Sequence, residues 1–219
     1  MRKVRSLIKC IIFDLDGTLL NTTEGVLESA RHAANQMGYS QLPYEVISRF
    51  VGPPIQESFK RYYGCDSATA QKATNIFRDY YKGAALLKAS PYEGILKLCA
   101  WLVKNNTMLA VATYKREDYA LKILEHFGFL KYLDAIHGAD NENKLTKADI
   151  INMCITEIGC DRNEVVLIGD TEYDAVGAEK AGINFIGVTY GFGFKTLKDV
   201  EVYDNIGCAN DVNGLYRFF

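Results

Sequence analysis

The chain has 219 residues, of which 48% are hydrophobic and 24% charged, and a formal net charge of −2. That is enough apolar material for one sizeable core, alone or with a small second domain, and it excludes an extended disordered chain. The charge balance excludes a global electrostatic footprint for nucleic acid or an anionic membrane, so positive charge that binds phosphate has to be local. The basic start Met1-Arg2-Lys3-Val4-Arg5 precedes an apolar run too short for a signal peptide, and no segment is long enough to span a bilayer. The six cysteines, Cys10, Cys65, Cys99, Cys154, Cys160 and Cys208, form no C-x-x-C pair. They read as buried, reduced thiols of a cytoplasmic protein.

In chain order, residues 8 to 13 form an apolar first strand that ends at a carboxylate, Asp14. The pattern then becomes helical: Val26, Leu27, Ala30, Ala33, Ala34 and Met37 mark one face of a helix over 24–37, stopped by Gly38. A second helix starts at Pro43 and runs to Phe50, and Gly52-Pro53-Pro54 breaks it. Two more are expected over 55–63 and from Ser67 to about Leu87. After these roughly sixty helical residues, strands are expected at 108–113, 135–138, 165–168 and 184–188. The helices between them carry Ile95 to Val103, 117–127, 147–158 and 173–181. Alternating strands and helices imply right-handed βαβ units, hence an α/β doubly wound parallel sheet of Rossmann type. A small all-helical cap domain, residues 21–88, is inserted after the first strand of a core made of 1–20 and 89–219.

The chemistry is concentrated at Asp14-Leu15-Asp16-Gly17-Thr18-Leu19. In an extended chain, residues two apart face the same side, so Asp14 and Asp16 can share one pocket, as a nucleophile and its acid/base partner. Two carboxylates so close need a cation between them. Gly17 permits a sharp turn and Thr18 can bond an oxyanion. A bare D-x-D is usually a solvated strand end; the apolar lead-in and the Gly-Thr-Leu tail favour a site. The stretch resembles the first motif of the haloacid dehalogenase superfamily in its phosphatase branch, phosphoglycolate-phosphatase-like or nucleotidase-like. The dehalogenases themselves lack the second aspartate.

Three further positions are similar to that family. Thr113, at a strand end, resembles its second motif, with Tyr114 where many relatives have Asn. Gly169-Asp170-Thr171-Glu172-Tyr173-Asp174 resembles its fourth, G-D-x-x-x-D. The third is a lysine, with Lys144 and Lys147 as candidates; Lys147 is preferred because it stands just before a helix. Away from this setting each has a plain structural reading: a strand-end threonine, a helix cap, a surface lysine. The resemblance implies hydrolysis of a small phosphorylated metabolite with Mg²⁺ as cofactor. Asp14 is then the nucleophile and Asp16 the acid/base, while Thr113 and Lys147 hold the transferring oxygens. Asp14, the Asp16 carbonyl, Asp170 and Asp174 are the metal set, and which of the last two binds directly stays open. Thr18, Gly52, Thr113, Tyr114, Lys115 and Lys147 are the expected substrate contacts, Gly52 from the cap loop. A glycine-rich turn, Gly191-Phe192-Gly193, borders the site, and His32, His126 and His137 show no ligand spacing. A monomer or homodimer is expected, with no nucleic acid and no membrane. A sugar phosphomutase on the same core, and a phosphate-binding regulatory module without turnover, are the alternatives.

Overall fold

The computed structural model describes residues 8–140 and 144–219; the basic start of the chain and the run Asn141-Glu142-Asn143 lie outside them. Eight strands occur among the described residues: β1 (Cys10–Phe13), β2 (Leu20–Asn21), β3 (Ser90–Pro91), β4 (Met108–Arg116), β5 (Ala135–Ala139), β6 (Val165–Gly169), β7 (Asn184–Val188) and β8 (Gly207–Ala209). Six of them form one parallel sheet in the order β5-β4-β1-β6-β7-β8. β2 and β3 pair antiparallel as a separate ribbon.

Every residue of β1 is buried, as a strand covered on both faces must be. Its period of two divides the interior. Ile11 and Phe13 pack with Leu98, Leu102 and Ile123 on one face, while Cys10 and Ile12 pack with Ile150, Cys154 and Ala178 on the other. The helices supplying those faces are, in chain order, α1 (Thr23–Gln36), α2 (Tyr44–Ile47), α3 (Ile55–Tyr63), α4 (Ser67–Tyr81), α5 (Ile95–Lys104), α6 (Glu117–His126), α7 (Lys147–Ile158), α8 (Glu172–Ala181) and α9 (Leu197–Glu201). From β1 the chain first builds outward through β4 to β5, then returns to the other side of β1 with β6. The strand order reverses at β1, and ligands of such sheets bind beyond the carboxyl ends at that point.

Between β2 and β3 lie only α1 to α4 and short turns. Small buried residues, Ala30 and Ala33 on α1 and Ala70 and Ala73 on α4, line the shared core there, and Phe50 meets Phe59 edge to face at 5.3 Å. The expected helix from Pro43 to Phe50 is a short α2 followed by a 3₁₀ turn at Ser48–Phe50. The helix expected to reach Leu87 stops at Tyr81 before Gly83, and Ala84–Leu87 is a separate 3₁₀ turn. β4 is three residues longer than expected and β8, β2, β3 and α9 were not foreseen. Each of the unforeseen elements has two to five residues, too few to show a period. All six cysteines are free; Cys65 and Cys160 are only partly buried, against the expectation of burial.

Candidate active site

Asp14 is the first residue past β1, and its N–H still donates to the Ile168 carbonyl at 2.9 Å. Asp170 follows β6 directly and Asp174 sits in the first turn of α8. One carboxylate oxygen from each of Asp14, Asp170 and Asp174 lies within 4.8 Å of the others, and all three residues are buried. Lys147, only 3% exposed, is the first residue of α7. Its Nζ lies 2.5 Å from Asp14 Oδ1 and 2.7 Å from Asp174 Oδ1.

Local sequence explains this placement. Thr146 and Asp149 form a capping box that starts α7 at Lys147, so the lysine leaves a fixed helix end and points into the sheet. Lys144 is exposed, and its N–H donates to Asp140 Oδ1 at 3.1 Å. A second capping box holds Asp174, whose Oδ2 accepts from the Thr171 N–H at 3.0 Å and hydroxyl at 2.6 Å. The same carboxylate thus caps α8 and pairs with Lys147.

Asp170 is held by the glycine-rich turn. Its Oδ2 accepts from the N–H groups of Phe192 at 2.6 Å and Gly193 at 3.1 Å, while its Oδ1 has no hydrogen-bond partner among the described residues. A Cβ on Gly17, which has φ +94°, or on Gly191 would lie 2.3 or 2.4 Å from that carboxylate, so both glycines let backbone close around it. Burial, then the neighbouring Asp174, push the Asp170 carboxyl up to about 7 against the two N–H groups that favour its charge. Asp14 is also raised, by burial first and by Asp174 and Asp170, with Lys147 opposing. Burial pulls the Lys147 ammonium down, but Asp14 and Asp174 outweigh it and leave that group more firmly charged than an ordinary lysine. Buried carboxylates in excess of the one lysine, an orphaned Asp170 oxygen and an all-oxygen donor set fit a hard divalent cation.

Asp16 stands apart. Its side chain is outside the group of Asp14, Asp170 and Asp174, and lies past the regular strand, which ends at Phe13. The Asp16 Oδ1 accepts from the Thr22 hydroxyl at 2.5 Å and lies 3.0 Å from Lys115 Nζ. Lys115 also donates to the Tyr81 hydroxyl of α4 at 2.8 Å. Pairing between β4 and β5 shifts register between Thr113 and Arg116, and this irregularity separates the side chains that follow Thr113. The Tyr114 hydroxyl accepts from the Lys147 N–H at 2.9 Å, while Lys115 reaches Asp16. Thr113 is buried and its Oγ1 accepts from the Lys115 N–H at 3.1 Å. Thr18 is wholly buried, with its hydroxyl unpartnered among the described residues. Its carbonyl accepts from the Tyr190 hydroxyl at 3.0 Å.

Gly52, Tyr114, Lys115 and Asp16 line one cavity of about 70 Å³. A larger cleft of about 830 Å³ borders Thr171, Phe192 and Gly193; Asp16 lines the small cavity, and neither lining includes Asp14 or Lys147. The histidines stay out of the site: His32 stacks on Tyr80 at 4.2 Å, His126 meets Phe127 at 4.8 Å, and His137 Nε2 lies 2.6 Å from Glu157. Thr22, Tyr81 and Tyr190 are site neighbours that sequence reading missed, whereas the Phe192 and Gly193 amides belong to the turn expected to border the site. Only Gly191-Phe192-Gly193 carried a local signal, as a turn after a strand.

The model of the haloacid dehalogenase-like hydrolase family matches residues 11–188, which contain every one of these groups except the Phe192 and Gly193 amides and those of Tyr190 and Gly191. The chain belongs to that family. This hydrolase is 34% identical over 184 residues to a 5'-nucleotidase of Pseudomonas aeruginosa, covering 84% of its own length and 83% of that protein. It is 33% identical to the tyrosine-protein kinase PtkA of Mycobacterium tuberculosis, covering 84% of its own length and 62% of that protein. The crystal structure of a predicted phosphatase from Clostridium acetobutylicum superposes on the hydrolase with a TM-score of 0.91 at 36% identity, covering 97% of this chain and 98% of that one.

Proposed function

We propose that the protein is a Mg²⁺-dependent phosphatase that hydrolyses a small phosphomonoester through an aspartyl-phosphate on Asp14. The observation that carries this reading is the division of the site's carboxylates between two environments. Asp14 is buried against Lys147 beside Asp170 and Asp174, whereas Asp16 is held separately by Thr22 and Lys115. Carboxylates kept in different environments are how one pocket supplies both a nucleophile and an acid/base.

Asp14 attacks phosphorus and forms the acyl phosphate as the bond to the leaving oxygen breaks; Asp16 donates its proton to that oxygen. Asp16 then takes a proton from the water that attacks the acyl phosphate, which releases phosphate and restores Asp14. Lys147 and Thr113 orient the transferring oxygens, and Lys147 favours the charged form of Asp14 against its burial. Asp14, Asp170 and the Asp16 carbonyl, with Asp174 behind them, would hold Mg²⁺, which when bound supplies positive charge to the phosphoryl oxygens. Residues 21–88 act as a cap domain over the core, contributing Gly52 to the cavity wall. Six free thiols are in keeping with a reducing, cytoplasmic setting.

The test is phosphate release from an aryl phosphate with Mg²⁺ and with excess EDTA. Mg²⁺-dependent release is expected; full activity in EDTA would remove the metal from the reading. Addition of a sugar bisphosphate separates a phosphomutase, which would convert a sugar phosphate faster than it releases phosphate.

A further inference from the structure

We infer that Tyr81, the last residue of α4, is a positioning residue for the proton transfer: through Lys115 it fixes which oxygen of Asp16 faces the leaving group. The inference rests on the phosphatase reading, in which Asp16 protonates the leaving oxygen, and adds a residue of the helical segment to that step. As the P–O bond breaks, its electron pair stays with the leaving oxygen, and the proton comes from one of the two Asp16 oxygens. The side chain therefore has to present one oxygen and not the other.

Two donors meet at the same atom. The Thr22 hydroxyl lies 2.5 Å from Asp16 Oδ1 and Lys115 Nζ lies 3.0 Å from it, which leaves Oδ2 to carry the proton. Thr22 is the N-cap residue of α1, where a threonine hydroxyl ordinarily accepts from the first amides of the helix. Here it makes no such bond and turns to Asp16 instead. Lys115 is a long, flexible side chain, and one carboxylate contact would leave its head free to swing. A second partner removes that freedom: Nζ also donates to the Tyr81 hydroxyl at 2.8 Å and lies 4.7 Å from the centre of the Tyr81 ring.

Tyr81 can hold a lysine because it is itself fixed. It is 2% exposed, stacks on Phe77 at 5.3 Å and meets Tyr119 edge to face at 5.9 Å. A phenylalanine would serve that packing equally well, so the hydroxyl is the part of Tyr81 that packing does not require. Asp16, Tyr81 and Lys115 line the same cavity of about 70 Å³. In a reacting group, a displacement of about 1 Å is enough to cost on the order of 10²-fold in rate.

The test is the ratio of kcat/KM for 4-nitrophenyl phosphate to that for phenyl phosphate, with Mg²⁺ present. The two substrates differ little in shape, but phenolate is the poorer leaving group and depends more on a proton. Loss of a phosphate contact, or of folded protein, affects both alike and cancels in the ratio. Asp16→Asn, which has no proton to give, should raise the ratio by at least about thirtyfold. Tyr81→Phe and Lys115→Met should each raise it by at least about fivefold, and neither should raise it further once Asp16→Asn is present. Lys115→Met breaks the same link from its other end, so the test survives a Tyr81→Phe protein that does not fold. An unchanged ratio in either single variant, or a further rise in the Asp16→Asn background, overturns the inference and leaves the phosphatase reading standing. An unchanged ratio in Asp16→Asn removes the acid step on which the inference rests. No Mg²⁺-dependent release from either substrate overturns the phosphatase reading itself.

Discussion

Asp14 and Asp16 are two residues apart and have different neighbours, and their substitutions should fail differently. Asp14→Asn removes the proposed nucleophile and should lower kcat by several orders of magnitude while circular dichroism shows an intact fold; near-normal turnover would show that phosphorus is attacked by another group. Asp16→Asn should cost ~10²–10⁴-fold in rate. Because its side chain lies outside the Asp14, Asp170 and Asp174 group, Mg²⁺ affinity measured by calorimetry should change little, and a large loss would make that side chain a ligand. The lysines divide in the same way. Lys147 bridges Asp14 and Asp174 in a dry interior, whereas Lys144 is exposed. Lys147→Ala should lower kcat by about a hundredfold, the scale of losing one preorganised electrostatic group, and Lys144→Ala by less than severalfold. The reverse order, in parallel assays on one substrate, would move the role to Lys144.

At the scale of elements, the strands and helices that carry strong periods were legible, and so was the point where they meet. β1 could be read because an unbroken apolar run must be covered on both faces, and Asp14 because a carboxylate ends that run. Lys147 was preferred to Lys144 because it stands at an expected helix start, and α7 does begin there, capped by Thr146 and Asp149. The shared pocket expected for Asp14 and Asp16 rested on a strand period carried past Phe13, where the regular strand ends. Lys115 reaching Tyr81 and Asp16 joins residues more than thirty apart in the chain; no local pattern reports such contacts. Gly25 of α1 is another of this kind. Its N–H donates to the Lys88 carbonyl at 3.1 Å, and a Cβ there would lie 2.0 Å from the Ala85 carbonyl oxygen. That neighbour is backbone and cannot rotate away. Gly25→Ala should therefore push α1 off the turn at Ala84–Leu87 and destabilise the protein by about 1–3 kcal/mol, despite the better helix propensity of alanine. An unchanged or raised melting temperature would show that the segment yields at no cost.

For the whole molecule, the acid cluster ties stability to pH and to the proposed Mg²⁺. Burial and Asp174 raise the Asp170 carboxyl to about 7, against about 3.9 in an unfolded chain. The folded, metal-free protein therefore holds a proton that the unfolded chain has released between those values. An acid with a raised folded pKa stabilises the fold fully below about pH 4, and that contribution is lost as pH rises through about 7. A divalent cation occupies the same carboxylates and competes with the proton, so its binding tightens as the proton leaves. Ligand bound only by the folded state raises the melting temperature, by more the tighter it binds, since the stabilisation grows as the logarithm of its concentration over Kd. The rise produced by 10 mM Mg²⁺ over EDTA, a concentration on the order of those that expose weak sites, should be small at pH 5 and clearly larger at pH 8. Asp170→Asn, which removes the titrating group, should flatten the difference. An Mg²⁺ shift as large at pH 5 as at pH 8 in the wild-type protein would mean that the cation does not displace the Asp170 proton, and the carboxylate with the orphaned oxygen would lose its place in the metal set.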